Sequence, residues 1–162
     1  MAEPLLALRG IRAGYGDAVV LDDVSLEVPA EGSLAVLGRN GVGKSTLLLT
    51  IMGYTDVARG RITWRGADIT ALALATRPKV LLLDEPAAGV PHEESAELFV
   101  AIAGLSREIS ILFIEHDMNV VFRFASRIIV MVGGRVLVEG TPAEIAADPR
   151  VREVYLGGVR HG

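Results

Sequence analysis

Apolar and polar positions change rhythm several times along the chain, and each rhythm predicts a different element. "PLLALRGIRAGY" (4–15) and "AVVLDDVSLEVP" (18–29) predict two short strands joined by a Gly-rich turn at Tyr15-Gly16-Asp17. "SLAVLG" (33–38) is a continuous apolar run ending at glycine, the mark of a buried strand. "GKSTLLLTIMG" (43–53) predicts a helix stopped by Gly53. "GRITWRGADI" (60–69) alternates as a strand and turn do. "KVLLLDE" (79–85) runs four apolar residues into two acids and predicts a central parallel strand. "PHEESAELFVAIAGLSRE" (91–108) predicts an amphipathic helix with an acid-rich first turn and Leu98, Ile102 and Leu105 on one face. "SILFIEH" (110–116) reads as another buried strand, "MNVVFRFAS" (118–126) as a short helix, and "RIIVMVGGRVLVEG" (127–140) as a hairpin turning at Gly133-Gly134. In the closing "TPAEIAADPRVREVYLG", Thr141 suits an N-cap and Pro142 the first helical position. Strands alternating with helices predict an α/β fold, a mostly parallel sheet flanked by helices, with a small antiparallel part near the N-terminus.

Composition narrows the class. A chain of 162 residues suits one domain, and 51% hydrophobic with 22% charged residues fits a globular core rather than disorder. Aromatics are only 5%, so aliphatic side chains must fill that core, as in sheets covered on both faces. The net charge of −4, without a basic run, gives no nucleic-acid surface. Without cysteine there is neither a disulfide framework nor a thiolate zinc site, and His92, His116 and His161 lack ligand spacing. The N-terminus has no secretory pattern, and no apolar run approaches the roughly 20 residues that span a bilayer, so a cytoplasmic protein without direct membrane insertion is expected.

Candidate chemistry begins at "GRNGVGKST" (38–46), where Gly38, Gly43, Lys44 and Ser45 satisfy G-x-x-x-x-G-K-[ST] between a buried strand and a helix. Glycines let successive backbone N–H groups converge on one anion, and the helix start adds partial positive charge. Lys44 suits a bridge between β- and γ-phosphates, and the Ser45 hydroxyl suits Mg²⁺. Asp84 and Glu85 end an apolar strand, where two acids are costly unless they face a cleft or a cation. Asp84 would hold Mg²⁺ through water, and Glu85 would orient or deprotonate an attacking water. His116 also ends an apolar strand and would stabilise charge on a transferred phosphoryl group; a purely structural histidine is the competing reading.

Together these residues resemble the nucleotide-binding domain of ABC transporters. "GRNGVGKST" is similar to the Walker A loop, "VLLLDEP" to Walker B and "IEHDM" to the switch-histidine region; "AAGV" (87–90) occupies the D-loop position. "DEPAAG" with "EHDM" most resembles the ATPase subunits of branched-chain amino acid importers. The resemblance implies that Gly38, Arg39, Asn40, Gly41, Val42, Gly43, Lys44, Ser45 and Thr46 cradle ATP, with Mg²⁺ on Ser45 and Asp84 and with Lys44, Glu85 and His116 catalytic. It also gives Tyr15 the role of stacking on adenine, although by composition alone a packed hairpin aromatic fits equally well. Implied partners are transmembrane permease subunits and a second ATPase subunit, which would hold the protein peripherally on the cytoplasmic face of a membrane.

The family carries a Q-loop strand, a helical subdomain and an LSGG signature helix between the two Walker motifs. Here Lys44 and Asp84 are only 40 positions apart, the chain contains no glutamine, and "GLSRE" (104–108) holds only the Leu-Ser pair. "ALALATRP" (71–78) looks like the last turn of the signature helix joined directly to "GADIT" (66–70). The expectation is a single ABC-type ATP-binding domain over 1–162 with an internal deletion near 71–74 and no helical subdomain. Such a chain would bind nucleotide, hydrolyse it weakly or not at all, and leave an unpaired sheet edge where the Q-loop strand belongs. The alternative is a minimal nucleotide-binding module without turnover. A GTPase of the common type is disfavoured because no N-K-x-D motif is present.

Overall fold

The structure, a computed structural model, describes residues 4–71, 80–86, 88–90, 97–102 and 109–156. In chain order its strands are β1 (Leu6–Tyr15), β2 (Ala18–Val28), β3 (Ser33–Leu37), β4 (Asp56–Trp64), β5 (Ala67–Asp68), β6 (Val80–Asp84), β7 (Ser110–Ile114), β8 (Arg127–Val132) and β9 (Arg135–Gly140). The helices are α1 (Lys44–Ile51), α2 (97–102), α3 (Met118–Phe124), α4 (Pro142–Ala147) and α5 (Pro149–Leu156).

Two sheets form. One is antiparallel, in the order β2-β1-β4-β5; the other has the order β6-β7-β3-β8-β9, parallel except for β9. The antiparallel part lies toward the N-terminus, as expected, and β4 starts at Asp56, four residues before the expected strand. That part thus contains the three longest strands, of 10, 11 and 9 residues.

Side-chain alternation splits the core into two layers. On β3, Leu34 and Val36 face one side while Ala35 and Leu37 face the other. On β7, Leu112 and Ile114 oppose Ile111 and Phe113 in the same way. The first layer packs against the antiparallel sheet and α1 through Leu8, Ile11, Leu26, Leu47 and Ile51. The second packs against the other helices through Phe99, Ile102, Val121, Ile145 and Val151. Both faces being covered explains why β3 and β7 read as unbroken apolar runs.

The "KVLLLDE" strand is parallel, as expected, but it is not central. β6 lies at the end of the sheet order, and among the described residues it pairs with β7 alone, leaving Val80–Leu83 only half-buried. Its apolar run matched that of a central strand because β7 and the side chains packed on it still cover much of it. The face predicted for the following helix also shifts: Phe99 and Ile102 are buried, whereas Leu98 is half-buried. Leu105, "GLSRE", the helix's first turn at 91–96, Ala87 and the proposed junction beyond residue 71 lie outside the described residues.

The turn chemistry follows the sequence closely. Gly133 and Gly134 take φ of 55° and 77°, as a two-residue hairpin demands. Asp117 caps α3 by accepting from the Asn119 N–H. Thr141 and Glu144 form a complete capping box on α4, with Pro142 in the first turn.

Among the described residues, four carboxyls are held below the usual carboxylate range: Asp22 by the Arg135 guanidinium, Asp68 by the Thr70 hydroxyl, Glu144 by the Thr141 backbone N–H, and Asp148 by Arg150. A depressed folded-state value means the stabilisation is full above the ordinary range, near ~4, and is lost as pH falls through the lowered values. The urea midpoint is therefore expected to be flat between about pH 5 and 8 and to fall below about pH 4, with a shallower acid limb in Glu144→Gln. Phe99 ties α2 to the sheet, with ring centroids 5.6 Å from Phe113 and 5.4 Å from Phe124. Phe99→Ala should cost about 3–5 kcal/mol in urea unfolding, and a loss below about 1 kcal/mol would refute that packing role.

Candidate functional site

Strands β3, β6 and β7 are parallel, so their carboxyl ends open on one edge of the sheet, the edge where open α/β sheets receive ligands. β3 leads into the 38–43 loop, and the loop leads into α1. Gly43, the residue capping α1, has φ 101° and ψ 10°, a left-handed conformation in which a side chain is strained. A Cβ there would also press on Leu21 Cδ2 at 3.1 Å. With this turn the chain enters α1 so that the first intrahelical donor is Leu47 N–H, to the Gly43 carbonyl at 2.9 Å. The N–H groups of Lys44, Ser45 and Thr46 therefore have no acceptor within the helix, and no side chain caps them. Three outward-pointing donors at the positive end of a helix make an anion site.

Lys44 is 94% buried, its relative exposure being 6%. Its Nζ donates to the Gly38 carbonyl at 2.8 Å and the Arg39 carbonyl at 3.2 Å. A buried ammonium needs such partners, and these two keep it folded over the loop it would serve.

A cleft of about 320 Å³ opens above the loop, lined by Asn40, Gly41, Gly43, Lys44, Ser45 and Thr46, with Val20 and Glu85 on its sides. Glu85 reaches it from the end of β6, where its N–H extends the ladder to the Ile114 carbonyl at 3.0 Å. Its φ of 46° is left-handed, a conformation that costs a non-glycine residue about 1–3 kcal/mol and tends to gather at functional sites. The parallel register of Asp84 with Ile114 brings the next residues of both strands together. His116 Nδ1 accordingly lies 3.6 Å from Glu85 Oε1 and 3.9 Å from Oε2 of the buried Glu115.

Of the residues singled out in the sequence, the structure thus gathers Asn40, Gly41, Gly43, Lys44, Ser45, Thr46 and Glu85 around one space. Gly38 and Arg39 contribute carbonyls to Lys44 rather than cleft walls, and the Val42 carbonyl accepts from the Gly134 N–H at 3.0 Å. Asp84 is exposed at the end of β6, one residue from the wall that Glu85 forms. Tyr15 is half-exposed at the tip of the β1–β2 hairpin, outside the cleft lining. Val20 was not anticipated: no motif marks it, and only the packing of β2 on the loop at Gly43 brings it to the cleft. The Ser45 hydroxyl in the cleft and the exposed Asp84 carboxylate, one residue from its wall, are oxygen donors of the kind a hard cation such as Mg²⁺ takes, so the cleft and its rim suit a metal–phosphate pair. Among the described residues there is no cluster of three or more acidic or histidine groups that would hold a metal alone.

Residues 21–72 match the family model described as ABC transporter, and residues 135–161 match that described as branched-chain amino acid ATP-binding cassette transporter. The high-affinity branched-chain amino acid transport ATP-binding protein BraG of Pseudomonas aeruginosa is 24% identical, the match covering 95% of this chain and 100% of the relative. The zinc import ATP-binding protein ZnuC of Halorhodospira halophila is also 24% identical, covering 94% and 84%. The crystal structure of a nucleotide-free ATP-binding cassette from an ABC transporter superposes with a TM-score of 0.84 at 20% identity, over 94% of this chain and 99% of that one, and so shares the fold. The BraG alignment runs over 233 positions against a chain of 162 residues, so at least 71 of them, the difference, have no residue of this chain opposite. Residues 21–72 and 135–161 thus resemble the ATP-binding proteins of ABC transporters in sequence, and the chain as a whole has the fold of an ATP-binding cassette.

Proposed function

We propose that this chain is the ATP-binding subunit of a branched-chain amino acid importer, shortened within its nucleotide-binding domain, and that it binds Mg·ATP but turns it over slowly. The observation that carries the reading is the cleft itself, where Lys44, Ser45 and Thr46, whose amides have no acceptor within α1, line one space with Glu85. The match of residues 135–161 to the branched-chain family model supports the substrate class, against relatives for zinc, methionine and polyamines at 24–26% identity.

In this reading the loop amides bind the phosphates, and Lys44 Nζ exchanges the Gly38 and Arg39 carbonyls for β- and γ-phosphate oxygens. Ser45 and Asp84 would hold Mg²⁺, which neutralises phosphate charge when bound. Glu85 orients or deprotonates the attacking water, and His116, beside it, faces the transferred phosphoryl group. Tyr15, exposed at its hairpin tip, offers a ring for adenine.

The proposed loss near residues 71–74 is supported by the alignment gap, by the end of the ABC transporter match at residue 72, and by the position of β6 at the sheet end. In the family, the missing block supplies the signature helix that closes the partner's site and the groove that grips permease subunits. A chain without it keeps the phosphate cradle and loses the second wall of the site and its grip on a permease. Docking on the cytoplasmic face of a membrane would then be weak; among the described residues no helix is long and apolar enough to cross one. The missing glutamine also favours a second reading, a nucleotide-binding module with no turnover.

Titration calorimetry and a phosphate-release assay on the purified chain test this. Mg·ATP should bind, with turnover below about 1 per second. Lys44→Ala should weaken binding about 10- to 100-fold, the loss of one charge-assisted phosphate contact. Glu85→Gln should keep binding while any residual turnover falls about 100-fold or more. Zero turnover with lysine-dependent binding selects the module; faster turnover or lysine-independent binding refutes the proposal.

A further inference from the structure

The two sheets meet beside the phosphate loop, and one side chain joins them there. Asp22, on β2 of the antiparallel sheet, donates its N–H to the Gly134 carbonyl in the β8–β9 turn at 3.0 Å. Its carboxylate accepts from Arg135, the first residue of β9 directly after that turn, and from Arg12 Nη1 on β1 at 3.0 Å. Backbone and side chain thus fasten the same turn at two adjacent points, and Arg12 anchors the carboxylate from behind.

The turn in its place holds the loop. The Gly134 N–H donates to the Val42 carbonyl at 3.0 Å, one residue before the left-handed Gly43. No side chain fits at Gly134: a Cβ would lie 2.0 Å from the Val20 carbonyl oxygen, and φ there is 77°. Val20, two residues before Asp22, forms a wall of the cleft. The chain of contacts is short and continuous: Asp22 to Gly134, Gly134 to Val42, Val42 to the amides that start α1.

We propose that Asp22 is a positioning residue for nucleotide binding, clamping the β8–β9 turn so that the turn fixes the phosphate loop. The proposal rests on the nucleotide-binding reading above, but the clamp itself can be observed without nucleotide. Arg12 and Arg135 are about half-exposed or more, so the pair adds little to global stability; its effect is local, on where the turn sits.

The test compares the wild-type chain with Asp22→Asn, Asp22→Glu and Glu139→Gln. The last breaks the Arg127–Glu139 pair at the far end of the same hairpin. Amide exchange is read at Gly134 and at residues 43–46, alongside calorimetric Kd for Mg·ATP and the urea midpoint. Asp22→Asn should speed exchange at Gly134 and in the loop and weaken binding about fivefold, the upper range for one exposed ion pair. Asp22→Glu should restore both, and Glu139→Gln should change neither. Unchanged Kd or unchanged loop exchange in Asp22→Asn overturns the proposal, as does an equal effect of Glu139→Gln. Should the wild-type chain bind no Mg·ATP, the proposed function fails while loop exchange still decides the clamp: faster in Asp22→Asn supports it, unchanged rejects it. Gly134→Ala provides a second perturbation of the same joint. It should weaken binding more than Asp22→Asn does; wild-type Kd in a folded Gly134→Ala chain would also overturn the clamp.

Discussion

Three amides at the head of α1 need a negative charge, and the rest of the molecule is arranged so that they can keep pointing outward. A helix start normally satisfies its first N–H groups with a serine, threonine or aspartate cap. Here the cap is Gly43 in a left-handed conformation, which has no side chain to offer, and the donors stay open. The loop that produces this turn is held from three sides: by β3 before it, by Lys44 Nζ on its own carbonyls, and by the β8–β9 turn on Val42. An open anion site of this kind is an electrostatic liability in a core, so it forms only at the sheet edge, where a ligand or solvent completes it.

The parallel sheet explains why acidic groups gather opposite those donors. β6 and β7 run in the same direction as β3, so the residues that follow them leave the sheet on the loop's side. Register then does the rest, setting Glu85 within 3.6 Å of His116. Glu85, with its left-handed backbone, is the last residue whose N–H joins the ladder to β7, and it lines the cleft. Aliphatic packing on both faces supplies the rigidity this requires, and Phe99, Phe113 and Phe124 are concentrated under the helical side.

Much of this was legible in the sequence because the signals were local. The β8–β9 hairpin could be read from Gly133-Gly134, the α4 cap from Thr141 and Pro142, and the loop from its glycine spacing. What escaped depended on contacts between distant segments. The edge position of β6 is a matter of strand order, which apolar periodicity does not encode. Val20 reaches the cleft only because two sheets abut, and the joint formed by Asp22, Arg12 and Arg135 ties the β1–β2 hairpin to a residue 113 positions from Asp22. The buried face of α2 turned on Phe99, whose neighbours Leu98 and Val100 are equally apolar, so the sequence pattern did not single it out.

The account stands on the amides of residues 43–46 as the binding surface for a nucleotide's phosphates. Residue-resolved amide NMR during titration with Mg·ATP observes those groups directly. The largest shift changes should fall on Gly43, Lys44, Ser45 and Thr46, with a second, smaller set at Glu85 across the cleft. Saturating Mg·ATP that leaves these resonances unmoved, or that moves chiefly a distant surface such as the β4–β5 edge, would contradict the account.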